Sequence, residues 1–414
     1  FTNKAAREMR ERVGAMMGEA VEGLWLGTFH ALTARMLRRH AELVGLNSNF
    51  TILDTDDQMR LLKQVMEAEH IDLKRWPANG LMAIIQRWKD RGLTPDGITA
   101  AEDTDYAMGR ARGIYEAYQA RLKALNAADF GDLLLHVVTI LRGHPDVLAD
   151  YQRRFRYILV DEYQDTSGTQ NKLVELLVSY WDEPNLFVVG DDDQSIFRFQ
   201  GASVDNMLRF LQKYPNIKTI MLAENYRSIQ PILDVSKSLI DANQERLIKH
   251  IEGLSKVLTA GKKELQGITE FPVIKAYKTP REEMIGITQS IEELVKSGTD
   301  PKRIAVIYKE NKYGEEIAEF LQCKKINYFS KRNLDLLALP LIKKIILFFE
   351  YLDAEMDMPF SGDEMLFEIL HFDWFGIQPI EIAKLSIENN ERLYKKEGSG
   401  FRRIIDEKTN KIAG

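Results

Sequence analysis

The sequence predicts an α/β fold in which short parallel strands alternate with amphipathic helices and carry inserted helical subdomains. Three observations predict it. Four short apolar runs, Tyr157-Ile158-Leu159-Val160, Leu186-Phe187-Val188-Val189, Thr219-Ile220-Met221-Leu222 and Ile304-Ala305-Val306-Ile307, have the length and composition of buried parallel strands. Helical patterns separate them, which is the alternation of an open α/β sheet. The first three runs each end in polar residues, and ligands of such sheets bind at the carboxyl edge of the strands.

Taken in order, residues 4–17 read as a helix, and Leu24-Trp25-Leu26-Gly27 as a short strand ending in a turn before Thr28. Residues 31–45 are expected to be helical, with Leu32, Met36, Leu37 and Leu43 on the apolar side. Residues 47–126 are almost wholly helical in pattern. Asp54-Thr55-Asp56-Asp57 supplies a cap and an acidic first turn, Met59, Leu62 and Met66 follow at helical spacing, and residues 92–97 form a loop. This stretch reads as an inserted helical subdomain. Further apolar helix faces are expected at Leu208 and Leu211, at Ile232, Val235 and Leu239, and at Met284, Ile287, Ile291 and Leu294. Residues 253–269 read as a linker into a second α/β domain, and residues 353–414 are again mostly helical. Trp25, Trp76, Trp88, Trp181 and Trp374 are expected in cores.

Composition narrows the class. The 414 residues carry 56 Lys and Arg against 62 Asp and Glu, a net charge of −6, with 45% hydrophobic and 29% charged residues. That is an ordinary globular mixture, too long for one core. The most apolar stretch, residues 338–353, is cut by Lys343, Lys344 and Glu350, so no membrane span is expected. The single cysteine, Cys323, excludes an internal disulfide and fits a reducing compartment, which points to the cytoplasm. The histidines are scattered, without a His/Cys metal cluster. Mild acidity argues against a histone-like coat but leaves room for a local basic groove. The opening Phe1-Thr2-Asn3-Lys4 reads as a chain that begins inside a domain. Residues 1–168 hold 17 Arg and 5 Lys, residues 169–414 hold 10 Arg and 24 Lys. That swap has no structural motive and suggests two genomic histories, which uniform codon usage across the reading frame would contradict.

The polar strand ends carry the chemistry. Asp161 and Glu162 directly follow the first run; an Asp there can hold a nucleotide's magnesium, and the Glu can polarise a water. Alone, such a pair is as well explained as a polar strand exit. Gln164, Asp165 and Thr166 follow. The second run ends in Gly190-Asp191-Asp192-Asp193-Gln194-Ser195, where three successive aspartates need a cation or a basic partner, unless the loop is simply solvated. The third delivers Glu224-Asn225-Tyr226-Arg227-Ser228, in which the arginine suits a phosphoryl-stabilising finger or, equally, a structural ion pair. Phe197-Arg198-Phe199 interleaves two aromatic faces with a cation, as single-strand binding requires, with core packing as the alternative.

Together the segments are specific. TFHA at 28–31, DEYQDT at 161–166, GDDDQSIFRFQGA at 190–202 and ENYRS at 224–228 stand in the order and spacing that resembles the UvrD/PcrA/Rep family of superfamily 1 DNA helicases. FTNKAAREM at 1–9 and DFGDLL at 129–134 are similar to further segments of that family, and the likeness runs from residue 1 to about 350. The resemblance implies two RecA-like P-loop NTPase domains that bind ATP and Mg2+. Residues 1–46 and 127–269 would form most of the first, 47–126 its insertion, 270–352 the start of the second, and 353–414 the start of a second insertion. It implies that Asp161 coordinates magnesium, with Glu162 beside it activating the attacking water. Gln194 would sense the γ-phosphate, Arg227 would contact it as an arginine finger, and Tyr226 would stack on adenine. Phe1, Thr2, Asn3, Thr28, Phe29 and His30 would lie along single-stranded DNA, with Phe197, Arg198 and Phe199 meeting its bases.

Two departures matter. The phosphate-cradling string GxxxxGK[ST] does not occur in these residues; Gly261-Lys262-Lys263 lacks the hydroxyl and the earlier glycine. At Gln200 the family usually has arginine. The expected function is that of an ATP-driven 3′-to-5′ single-strand translocase that opens duplex junctions, with this chain a piece inactive by itself. The helicase part of an AddA/RecB-type helicase–nuclease and a non-catalytic single-strand-binding module are the alternatives. A nuclease domain beyond residue 414 would favour the former. A phosphate loop upstream in the reading frame would favour the enzyme, and an in-frame start just before Phe1 would favour the latter.

Overall fold

The computed structural model describes residues 3–18, 23–195, 204–244, 246–249, 255–330, 336–396 and 399–413. The chain divides into two compact units, Phe1–Val273 and Ile274–Gly414.

The first unit opens with α1 (Asn3–Met17) and α2 (Phe29–His40). Thr28 caps α2 by accepting a hydrogen bond from the Ala31 N–H at 3.2 Å. The helix tightens into a 3₁₀ turn over Ala41–Val44 and stops at Gly45, whose φ of 75° closes it. Strand β1 (Thr51–Ile52) then runs parallel to β2 (Ala127–Ala128). Between them lie α3 (Thr55–Ala68), α4 (Ala78–Asp90), the short α5 (Tyr106–Gly109) and α6 (Ala111–Ala124). The helical excursion thus leaves and returns on adjacent strands. Asp54 caps α3 as its sequence requires, and Leu62, Met66, Leu81, Ile85, Trp88 and Tyr115 fill the core it encloses.

Helix α7 (Phe130–Gly143) is apolar nearly all round and accordingly buried nearly all round. It packs on α2, on α8 (Pro145–Arg154) and on α9 (Gly168–Val178). Strand β3 (Tyr157–Val160), which precedes α9, pairs in parallel register with β4 (Asn185–Val188), Val160 opposite Val188. Their inward residues meet Val174 and Val178 of α9 and Met207 and Phe210 of α10 (Val204–Lys213). Strand β5 (Glu224–Asn225), helix α11 (Gln230–Ile240) and strand β6 (Thr259–Ala260) complete the unit, with β5 and β6 parallel.

The second unit is helical among the described residues: α12 (Pro280–Lys296), α13 (Asn311–Cys323), α14 (Pro340–Asp357), α15 (Asp363–Leu370), α16 (Pro379–Tyr394) and α17 (Phe401–Ala413). Proline at the first position of α12, α14 and α16 presets φ where no N–H bond is lost. No described helix is long and apolar enough to cross a membrane.

Several expectations need correction. Residues 24–27, 219–222 and 304–307 join no strand ladder; the ladder of the third segment begins later, at Glu224. An apolar run marks a candidate strand, but pairing needs a neighbour at hydrogen-bond distance, which the run itself does not encode. The β3–β4 pair is not buried on both faces: Tyr157, Leu159 and Phe187 stand 69%, 74% and 56% exposed. On α11 the packed residues are Pro231 and Leu233, while Ile232, Val235 and Leu239 point outward. Leu43, Leu294 and Trp374 are also exposed, the last on a 3₁₀ turn beside Phe372. Residues 259–260, expected within a linker, pair with β5 in the first unit.

Candidate active site

The paired tips of β3 and β4 form the centre. The Val189 N–H donates to the Val160 carbonyl at 2.8 Å and the Tyr163 N–H to the Val189 carbonyl at 2.9 Å, so the register continues past the strands. Asp161 is exposed and accepts from the Glu162 N–H at 3.0 Å. Glu162 itself stands at φ 52°, a left-handed conformation that costs a non-glycine residue energy and recurs at functional turns.

Gln164, fully buried, joins the two tips. Its Nε2 donates to Glu162 Oε2 at 2.6 Å, and its Oε1 accepts from the Asp191 N–H at 3.0 Å. A Cβ on Gly190 would come within 2.9 Å of that oxygen, which accounts for glycine there. Gln194 in turn donates from Nε2 to Asp191 Oδ2 at 2.7 Å. Glu162, Gln164, Asp191 and Gln194 therefore form one hydrogen-bonded chain across the edge.

The aspartate run has found basic partners. Lys256 Nζ lies 2.9 Å from both Asp192 and Asp193 and also bonds Asp191. Arg246, buried, grips Asp193 with Nε at 2.7 Å and a terminal nitrogen at 2.8 Å, and also pairs with Asp241. The Leu247 N–H donates to Asp192 at 2.7 Å. Burial pulls the Lys256 ammonium down, but its bonds to Asp191, Asp193 and Asp192 prevail and hold it above its usual value. Burial pushes Asp191 up, and the bonds from Lys256 and Gln194 bring it below the ordinary carboxylate range. The three carboxylates lie close enough together to hold a cation, a position the lysine serves. Replacing Arg246 with Met is expected to lower stability by about 3 kcal/mol, the low end for a broken buried pair because Asp193 keeps 18% exposure. Urea denaturation, with hydrogen exchange at the Leu247 amide, checks this; an unchanged midpoint and amide would contradict it.

Tyr226 and Arg227 follow β5, on a sheet separate from β3–β4. The two are linked through the chain: only Val257 and Leu258 separate Lys256 from Thr259, about 10 Å when extended, and Thr259 is paired with Glu224. Tyr226 is 64% exposed and donates to Glu224, which raises its phenol. Arg227 is exposed and has no ion-pair partner among the described residues. An Asp161 carboxylate open to solvent, with one oxygen used locally, fits a magnesium ion, which takes one or two protein carboxylates and completes its shell with phosphate and water.

Of the expected DNA-facing residues, Thr28 Oγ1 lies 3.5 Å from Asn3 Oδ1, joining α1 to the start of α2. Phe29 packs into two hydrophobic clusters and so is partly committed to the core. His30 stands edge-on to Phe130 at 6.1 Å, and burial lowers its pKa, leaving a neutral imidazole. Phe1, Thr2, Phe197, Arg198, Phe199 and Gln200 lie outside the described residues. Gln164, Lys256 and Arg246 carry roles that sequence reasoning did not assign. The run of aspartates was the signal that some base must answer it.

A model of the UvrD/REP helicase N-terminal domain matches residues 1–215, and one of the UvrD-like helicase C-terminal domain matches residues 220–361. Three relatives are each named ATP-dependent DNA helicase PcrA. That of Leuconostoc citreum is 44% identical over 252 residues, covering 61% of this chain and 33% of the relative. That of Staphylococcus aureus (strain NCTC 8325 / PS 47) is 37% identical over 330 residues, 79% of this chain and 43% of the relative. That of Staphylococcus epidermidis is 33% identical over 399 residues, 95% and 52%. The chain thus spans between a third and about half of the length of these relatives.

Proposed function

The chain belongs to the UvrD/REP helicase family, whose N-terminal domain model accounts for more than half of it, and on that premise we propose that it is part of an ATP-dependent DNA translocase that moves 3′ to 5′ on single strands and separates duplex junctions. The observation that carries the reading is the chain Glu162–Gln164–Asp191–Gln194 across two paired strand tips. Two carboxylates, Glu162 and Asp191, and two amides, Gln164 and Gln194, are joined there, and Asp161 accepts from the Glu162 N–H beside them.

In this reading Asp161 holds the nucleotide's magnesium, whose charge would offset that of the phosphoryl oxygens. Glu162 uses its free oxygen to orient and deprotonate a water, while Gln164 fixes the other. Gln194 hydrogen-bonds the terminal phosphate and passes its presence to Asp191. Arg227 supplies the positive charge that arginine fingers provide, a role worth about 10³–10⁵ in rate, and Tyr226 stacks on the base. Asn3, Thr28, Phe29 and His30, with Phe1, Thr2, Phe197, Arg198 and Phe199, line the single strand. The division into two RecA-like domains with helical insertions at 47–126 and 353–414, and a cytoplasmic setting, belong to the same proposal. The PcrA-named relatives favour it over a helicase–nuclease.

The 414 residues contain no GxxxxGK[ST]. Carboxylates would then face the triphosphate without the lysine and backbone N–H cradle that compensates them. The polypeptide by itself is expected to hydrolyse ATP negligibly, and the same polypeptide preceded by the family's phosphate-loop segment is expected to show DNA-stimulated turnover. A coupled phosphate-release assay on both checks this. DNA-stimulated turnover by the shorter chain, or none by the longer, would overturn the respective half.

A further inference from the structure

Trp25 is covered by cations from two helices. The guanidinium carbon of Arg35 lies 4.1 Å from its ring centroid, that of Arg39 at 5.3 Å and that of Arg154 at 5.7 Å. The ring bridges α2 to α8 through edge contacts with Tyr151 and Phe155 at 6.0 and 5.1 Å. Arg35, Arg39 and Arg154 are exposed, while the neighbouring Arg38 is turned away, stacking on Phe50 at 4.6 Å and donating to the Ser48 carbonyl at 2.8 Å. Among the described residues, the carboxylate pairing here is Arg153 with Asp150; Arg35, Arg39 and Arg154 have none. Asp146 and Asp150 act on the neighbouring His40.

Three guanidinium groups within 6 Å of one ring repel each other, and an indole face answers them only weakly. Their fork geometry matches phosphate oxygens. We propose that Arg35, Arg39 and Arg154, set around Trp25, form a docking surface for the phosphate backbone of duplex DNA.

The duplex is favoured over a single strand for a steric reason. Sites for single strands stack bases on open aromatic faces, and here the ring's surroundings are occupied by guanidinium groups. A duplex keeps its bases stacked within itself and offers only phosphates outward, one charge per about 1.7 Å of axis. Arg35 and Arg39, one helical turn apart, with Arg154 from α8, present an edge that meets several phosphates rather than one. The proposal rests on the DNA-acting reading above and extends it to a surface away from the nucleotide edge.

The test is fluorescence anisotropy with a blunt 20-base-pair duplex and a 20-nucleotide single strand, using the full chain between about 50 and 200 mM salt. The triple variant Arg35→Ala/Arg39→Ala/Arg154→Ala is expected to lose at least about tenfold in duplex affinity and to reduce the salt slope by about 2–3, since each phosphate left without its arginine removes about 0.9. Its affinity for the single strand should change less than about twofold. The corresponding triple Lys variant should keep the slope within about one. An unchanged duplex slope in the Ala variant, with single-strand binding intact, sinks this surface and leaves the helicase reading standing. Equal losses for both probes overturn the assignment to a duplex. A parent chain that binds neither overturns both proposals. Should the triple variant fail to fold, Arg35→Glu alone, on an exposed helix face, carries the same comparison, with a duplex affinity unchanged to within twofold as the contrary result.

Discussion

Replacing Lys89 with Met is expected to destabilise the first unit by about 3–5 kcal/mol, the cost of stranding buried charge. Lys89 on α4 reaches Asp129 at 2.6 Å and Asp132 at 2.7 Å, and all three side chains are 0–1% exposed. Tyr118 donates to Asp129 at 3.2 Å and Gln119 to Asp132 at 2.9 Å. The two carboxylates also form the capping box of α7. The network therefore ties the helical excursion to the central helix. A Cβ on Gly131 would meet the Lys89 side chain at 2.7 Å, so the glycine of DFGDLL makes room for the lysine. Burial pushes Asp132 up, but Lys89, with His136, holds it down to about 2. Its stabilising contribution is present above the unfolded value near 4 and is lost only as pH falls toward 2. In the variant both carboxylates would titrate above their unfolded values, so the variant gains stability as pH falls from 7 toward 5. The difference from the parent should shrink over that window. Adding Asp129→Asn and Asp132→Asn keeps capping groups, removes the charges, and should recover most of the loss. Urea unfolding at pH 7 and 5 tests all three statements; a difference below about 1 kcal/mol at pH 7 would contradict the account.

Glu162→Gln, in the chain preceded by a phosphate loop, should lower ATP turnover by about 10²–10⁴-fold, the usual yield of a positioned general base. The substitution is nearly isosteric, and its amide oxygen can still accept from Gln164 Nε2, so the turn and the link to Asp191 should persist. On the proposed reading, what would be lost is proton acceptance from the attacking water. Nucleotide and DNA binding should stay within about threefold. Steady-state turnover beside equilibrium binding separates the two, and near-normal turnover would remove Glu162 from the chemistry. Left-handed backbone at this position adds a second expectation about cause: since the turn holds φ at 52° and both side chains face the same constraint, a preserved melting curve assigns the loss to chemistry rather than to the fold.

Local features were the legible part of this sequence. The cap at Asp54 acts over three residues, and α3 starts where that residue stands. The polar ends of the first two strands were also readable, because each follows its run directly. What decides the rest acts at a distance. Arg246 and Lys256 meet the aspartates across 53 to 65 positions, and Lys89 meets Asp129 across 40. One sequence gives no register for such pairs. The runs at 219–222 and 304–307 show the converse: their hydrophobic content is plain, but a ladder depends on a partner strand the run cannot specify. The exposed faces of β3–β4 and α11 escaped for the same reason, since an apolar stripe says that burial is favourable and not which neighbour supplies it.

The open side of the β3–β4 pair governs how this polypeptide behaves as a material. Tyr157, Leu159 and Phe187 present a pleated, greasy strip to solvent beside the exposed Val189. Exposed apolar strand faces of this kind favour intermolecular stacking, and a net charge of only −6 spread over 414 residues offers little colloidal repulsion. Concentrated preparations will therefore drift toward turbidity with time, and mild detergent or low ionic strength will keep them clear longer than any ligand aimed at the acidic edge.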